Sequence, residues 1–249
     1  MKRAVSIIAK GSYHIGGKKV TIEGSAPIQT SFWPGGPPVT YDPNGDFQAG
    51  QMYVQYTRLE DPVVPYPVCM IHGGGSSGAL WESTQDGRPG WEFRFLQNGF
   101  NVNVSDGVER GRSSWAQFPE INQGPPMFNS YAERWTTYRL GPKYGVPYEG
   151  SRFDYSKYDQ FMKQHVPRWT TSNAMVQAAY DGYKWPGAFA WEDNMRRLHE
   201  RLLELGGDST WMSLPEMGIR GNTHALMMED NSDQIADLIC GWMKEHIHG

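Results

Sequence analysis

Cysteine is scarce in this chain: Cys69 and Cys240 are the only two in 249 residues, too few for a disulfide framework. Their settings read as free thiols of a reducing compartment, Cys69 as an inert core thiol within an apolar strand. Positive charge is not in excess, since 23 Lys and Arg face 27 Asp and Glu for a net charge of −4. Without a basic footprint, nucleic acid is not the expected partner. No apolar run reaches the length of a membrane span, and the one after Met1-Lys2-Arg3 is too short for a secretory signal. These absences predict a cytoplasmic protein with neither nucleic acid nor membrane as partner. Metal-ligand spacings, a P-loop and a dinucleotide fingerprint are missing too, so no metal and no cofactor is expected.

Glycine and aromatics are plentiful, with 29 Gly, 10 Trp and 13 Tyr. The length suits one domain with a full core, expected to span residues 1–249. Its organising stretch runs from Val63 to Gly78. The first half, Val-Val-Pro-Tyr-Pro-Val-Cys-Met-Ile, reads as a strand buried on both faces. It opens into His72-Gly73-Gly74-Gly75, where the missing side chains let a substrate oxygen approach backbone N–H groups closely. Such a loop is either an oxyanion hole or a glycine-rich turn without a ligand.

Along the chain, alternation at Val5, Ile7, Val20 and Ile22 around Gly16-Gly17 predicts an N-terminal β-hairpin. Residues 24–50, rich in Pro and Gly, read as an ordered surface loop, and Gln51 to Leu59 as a third strand. Helical spacing from Trp91 stops at Gly99, and a strand follows over 100–104. From about 114 to 153 the sequence is loop-like and aromatic, which predicts a lid or cap over a site, the insertion spanning about 114–170. Helical patterns follow at 155–164, 171–183 and 193–205, the last with Met195, Leu198, Leu202 and Leu205 on one face. Residues 209–214 read as a strand, and 232–246 as a final helix. Strands alternating with helices predict an α/β fold, a mostly parallel sheet with helices on both faces.

Ile71-His72-Gly73-Gly74-Gly75 after one strand, Asp106 with Gly111-Arg112-Ser113 after the next, and Gly218 to His224 before the last helix resemble the α/β-hydrolases. The likeness is to bacterial and fungal esterases of the "esterase 713" type. It also takes in Gly11 to Gly17 and Phe161 to Trp169. The resemblance implies oxyanion donors among Gly73, Gly74 and Gly75, and a general base at His224. The histidine's place on a Gly/Asn-rich loop ahead of a helix agrees with that role.

The chain departs from the family at the nucleophile. A strand running into G-x-S-x-G should follow 171–183. Instead, Asp181 to Phe189 passes into the next helix with no elbow serine, and the strand bearing the triad acid is absent as well. Two or more strand–helix units are missing, which predicts a shortened sheet. The strand near 210 then pairs with an earlier strand or with another subunit, and an exposed edge of that kind favours a homo-oligomer.

Gly74-Gly75-Ser76-Ser77-Gly78 matches the elbow letter for letter, so Ser76 is a candidate nucleophile, or else a loop serine bonded locally. Ser113 reads as a helix N-cap. Glu216 and Asp193 are the acids nearest in sequence to the histidine loop. Asp106 and Arg112 either touch a ligand or pair with each other, and His72 shapes the glycine loop. Three functions fit. The first is hydrolysis of a small apolar carboxylic ester. The second is a cofactor-free lyase or isomerase with His224 as lone acid/base. The third is a non-catalytic protein that binds a small molecule.

Overall fold

The structure is a computed structural model and describes residues 4–113, 124–167 and 188–247, with residues 188–194 described by backbone alone. The expected helix at 171–183, parts of the aromatic insertion (114–123 and 168–170) and the Asp193 side chain lie outside the described residues.

A four-stranded sheet forms the centre: β1 (Ile7–Ile22), β4 (Gly45–Leu59), β6 (Val102–Asp106) and β5 (Val68–Ile71), in the spatial order β1-β4-β6-β5. β2 (Ile28–Thr30) and β3 (Val39–Tyr41) make a separate two-stranded ribbon inside the stretch expected to be loop. Helices α1 (Ala79–Glu82), α2 (Trp91–Gln97), α3 (Tyr131–Thr137), α4 (Tyr158–Met162), α5 (Ala188–Glu204) and α6 (Ser232–His246) follow in chain order. The α/β class is as expected, but several of its details are not.

The N-terminal hairpin does not form. β1 is one continuous strand whose antiparallel partner is β4, with Gly16 opposite Gln51 and Lys18 opposite Ala49. Gly16 and Gly17 do take positive φ, but they lie across from Gly50, also at positive φ, and the pairing register continues past them without a chain reversal. Among the described residues the sheet is also not mostly parallel. β1–β4 and β4–β6 are antiparallel, and only β5–β6 is parallel. Residues 209–214 form no strand and pair with no strand among the described residues.

β5 is thus an edge strand among the described residues. Cys69 is exposed there, not sunk in the core as its apolar neighbours suggested, while Cys240 on α6 is the buried thiol. β6, in contrast, is buried along its whole length. Val102 and Val104 pack with Met70, Phe95, Phe100 and Ile235 in the main core. Each such side chain contributes about 1.5–3 kcal/mol when fully buried. α2 ends as expected at Gly99, whose φ of 89° lets its N–H return to Leu96 O at 2.9 Å.

A second, aromatic core bears on the site. Trp135, Tyr138, Leu140, Phe153, Tyr158 and Phe161 cluster with Leu80 beyond the glycine loop and with Ala225 and Met228 beyond His224. Its rings meet edge to face, as at Tyr138–Phe161 with centroids 5.0 Å apart. α3 starts on a Ser130-x-x-Glu133 cap, the Glu133 N–H donating to Ser130 Oγ at 3.2 Å. This cluster joins the loop after β5 to the loop before α6, so segments far apart in sequence meet at one place.

Candidate active site

The loop after β5 lies at the C-terminal end of the parallel β5–β6 pair, where sheet folds of this kind gather ligands. Gly73 and Gly74 are exposed, and Gly75 turns inward with a φ of 74°. The loop's carbonyls are all held. Gly73 O accepts from His72 Nδ1 at 2.8 Å and from the Ser76 N–H at 3.3 Å. Gly74 O and Gly75 O accept from the two terminal nitrogens of Arg134 at 3.2 and 3.3 Å, and the Val166 N–H also donates to Gly75 O. The amides behave differently. Among the described residues, neither the Gly74 nor the Gly75 N–H donates a hydrogen bond.

His72 shapes this loop, as expected. Its Nδ1–H holds Gly73 O, while Nε2 accepts from the Gly107 N–H at 2.8 Å, so both ring nitrogens are used. Burial keeps its pKa below the usual value, consistent with a neutral ring in that role. His72 therefore clamps the β5 loop to the β6 loop and is not itself turned to a substrate.

Asp106 and Arg112 pair with each other. Asp106 is 1% exposed, and its Oδ2 accepts from Arg112 Nε at 2.8 Å and from the Arg112 N–H at 2.7 Å. Its Oδ1 accepts from the Gly78 N–H at 2.5 Å. These bonds outweigh burial and hold the carboxyl below the usual range. Arg112 reaches on to Glu82 at 2.9 Å and lies over the Tyr53 ring. The expectation of a ligand contact from either gives way to a pair that fastens α1 to β6. Ser113 ends a single turn, donating to Asp106 O and accepting from the Tyr53 N–H, and the helix it was expected to cap lies outside the described residues.

Ser76 lies beneath the loop with no exposure at all. Its Oγ is 3.2 Å from the Tyr138 hydroxyl, and its backbone bridges to His165. That placement favours the second of the two expectations for Ser76, a loop serine bonded locally, over the attacking group.

His224 is exposed on its loop, with its N–H donating to Tyr138 O at 3.2 Å and its ring 5.5 Å from the Tyr138 ring. Its Nδ1 faces Arg139 Nη1 at 3.4 Å. Packing of the ring against protein and then the Arg139 charge push its pKa below the usual value, so the ring is neutral at neutral pH. Glu216 is exposed and accompanies no histidine among the described contacts.

Three residues escaped the sequence reading. Glu229 is fully buried and holds the histidine loop, accepting from the Thr223 N–H at 2.6 Å and from Asn222 Nδ2 at 2.5 Å. Arg134 and Tyr138 tie the glycine loop to the aromatic core. Only the aromatic density around 135 and the Ser130-x-x-Glu133 cap hinted that this segment is ordered. Beside the histidine loop, Trp211, Met212, Leu214, Ile219 and Thr223 line a cavity of about 600 Å³.

No family model matches the chain. The fold matches that of a bacterial esterase solved at atomic resolution, with a TM-score of 0.75 over 98% of this chain and 97% of that one, at 23% identity. In sequence the chain is 41% identical over 71 residues to "Probable secreted lipase phiG" of a fungal species. That stretch is 28% of this chain and 20% of the relative, so the chain spans about a fifth of the length of the curated lipase it matches. The chain therefore shares the fold of that bacterial esterase and, over 71 residues, a sequence relationship to the lipase. The lipase is named as secreted, and nothing here supports the cytoplasmic location expected above. Among the described residues no helix is long and apolar enough to cross a membrane.

Proposed function

We propose that this chain, an esterase-like α/β-hydrolase by fold, hydrolyses small apolar carboxylic esters at the mouth formed by the glycine loop and His224. The observation that carries this reading is the pair of unengaged amides at Gly74 and Gly75, whose peptides have their carbonyls fixed on the far side. An ester carbonyl oxygen set on them gains donors already in place as negative charge develops. His224, neutral at neutral pH and anchored on Tyr138, moves the proton. The neighbouring cavity is of a size for a small acyl or alkyl group.

Two observations favour a second reading, in which His224 works without a serine. Ser76 is sealed, and His224 Nδ1 faces the Arg139 cation where a triad would place a carboxylate. With Nδ1 accepting, the neutral ring carries its proton on Nε2 and can protonate an enolate held on the glycines, as in a lyase or isomerase.

Turnover of short-chain p-nitrophenyl esters, with fluorophosphonate labelling and peptide mapping, tests the two. Ester turnover with one adducted hydroxyl per chain supports a covalent hydrolase. Absence of both turnover and adduct, in folded protein, removes ester hydrolysis and leaves proton transfer by His224 alone.

A further inference from the structure

The geometry points to Arg134 as a positioning residue of the amide pair: from the aromatic core it holds the Gly74 and Gly75 carbonyls inward, so that the Gly75 N–H faces outward. This rests on the reading of the glycine loop as an oxyanion site and says what builds it.

Arg134 is 4% exposed and belongs to α3, about sixty residues from the loop it serves. Its two terminal nitrogens reach two successive carbonyls, Gly74 O and Gly75 O, and Nη2 also donates to Asn129 Oδ1 at 2.5 Å. All peptide bonds here are trans, so the C=O and N–H of one peptide point in opposite directions. A guanidinium on Gly74 O therefore aims the Gly75 N–H away from the core. His72 does the same one peptide earlier, where its bond to Gly73 O aims the Gly74 N–H.

The guanidinium does more than orient. A charged donor on a carbonyl polarises the whole peptide, which strengthens the donor at its other end. The loop is also built around it, because a Cβ on Gly75 would collide with Arg134 Nη2. Glycine at 75 thus serves two needs, the positive φ and room for the guanidinium. The charge acts beyond the loop as well, since it adds to burial in lowering the His165 pKa.

The test uses full-length protein with 15N-labelled glycine and phenyl trifluoromethyl ketone, whose hydrate imitates a tetrahedral oxyanion. In the wild type the ketone shifts the Gly74 and Gly75 amide resonances. In Arg134→Met its affinity falls by about tenfold or more, the scale expected when an oxyanion donor is lost or misdirected. Arg134→Lys, which keeps the charge but cannot bridge two carbonyls, falls in between, and it carries the test if the methionine variant does not fold. Affinity and shifts unchanged in a folded Arg134 variant overturn the positioning role alone. A wild type whose Gly74 and Gly75 amides ignore the ketone overturns the oxyanion reading and this inference together.

Discussion

The His224 imidazole stands against the Tyr138 ring with centroids 5.5 Å apart, and the His224 backbone N–H donates to the Tyr138 carbonyl at 3.2 Å. One aromatic residue thus holds the histidine by both ring and backbone, and the same side chain meets Ser76 on its other side. The proposed base and the glycine loop share a single support.

Packing against protein, and then Arg139, next in sequence, lower the pKa of that histidine. The Arg139 charge lies beside Nδ1 and disfavours the imidazolium. In an NMR titration the wild-type His224 is expected to titrate below 6.5, and Arg139→Gln is expected to raise its pKa. An unchanged pKa in the variant would mean that packing against protein alone depresses it.

Ser76 is expected to act as a structural hydroxyl. Ser76→Ala should leave ester turnover within about twofold and lower stability by about 0.5–1.5 kcal/mol, the worth of one buried hydrogen bond. Tyr138→Phe should cost a similar amount, and a double-mutant cycle by urea melts should show the two losses coupled. Abolished turnover in folded Ser76→Ala would instead make Ser76 the attacking group.

His165 predicts how stability depends on pH. Burial, and then the Arg134 charge, lower its pKa to about 4 in the folded state. The unfolded chain binds this proton near 6.5, so unfolding takes up a proton between those values and stability falls as pH drops through that window. The loss approaches about 3 kcal/mol by pH 4. His165→Gln should flatten this part of the profile in urea melts across pH 4 to 7. An unaltered slope would assign the loss to other groups.

Local signals were read well where one segment decides its own structure. α2 stopped at Gly99 and α6 ran over 232–246, because periodicity and a stop residue are properties of the segment itself. Partners were harder to read. Alternation around Gly16-Gly17 marked strand but could not say that β1 pairs with β4 across an intervening ribbon, and 209–214 has strand-like residues but no pairing partner among the described residues. On α5 and just past its end, the apolar face at Met195, Leu198, Leu202 and Leu205 is exposed among the described residues. At the candidate site, the glycine loop and the loop histidine drew notice as local patterns, and the clamp that His72 makes on the loop was foreseen. Arg134, Tyr138 and Glu229 were not, since their roles exist only once distant segments meet.

Cys69 offers a check on the sheet edge. It is exposed on β5, whereas Cys240 is fully buried with its thiol pushed up to about 12 by desolvation. A thiol reagent should label one cysteine in native protein, mapped to Cys69, and two in urea. Native protein with no reactive thiol would mean that β5 is covered.

The most direct measurement is the rate of short-chain p-nitrophenyl ester hydrolysis by wild type and by His224→Asn, each followed from pH 5 to 8. The account predicts turnover in the wild type that falls only below pH 6.5, as the low-pKa histidine becomes protonated, and a loss of at least about a hundredfold in the variant. Equal rates in the two folded proteins would contradict the assignment of His224 as the proton-transfer group of the site.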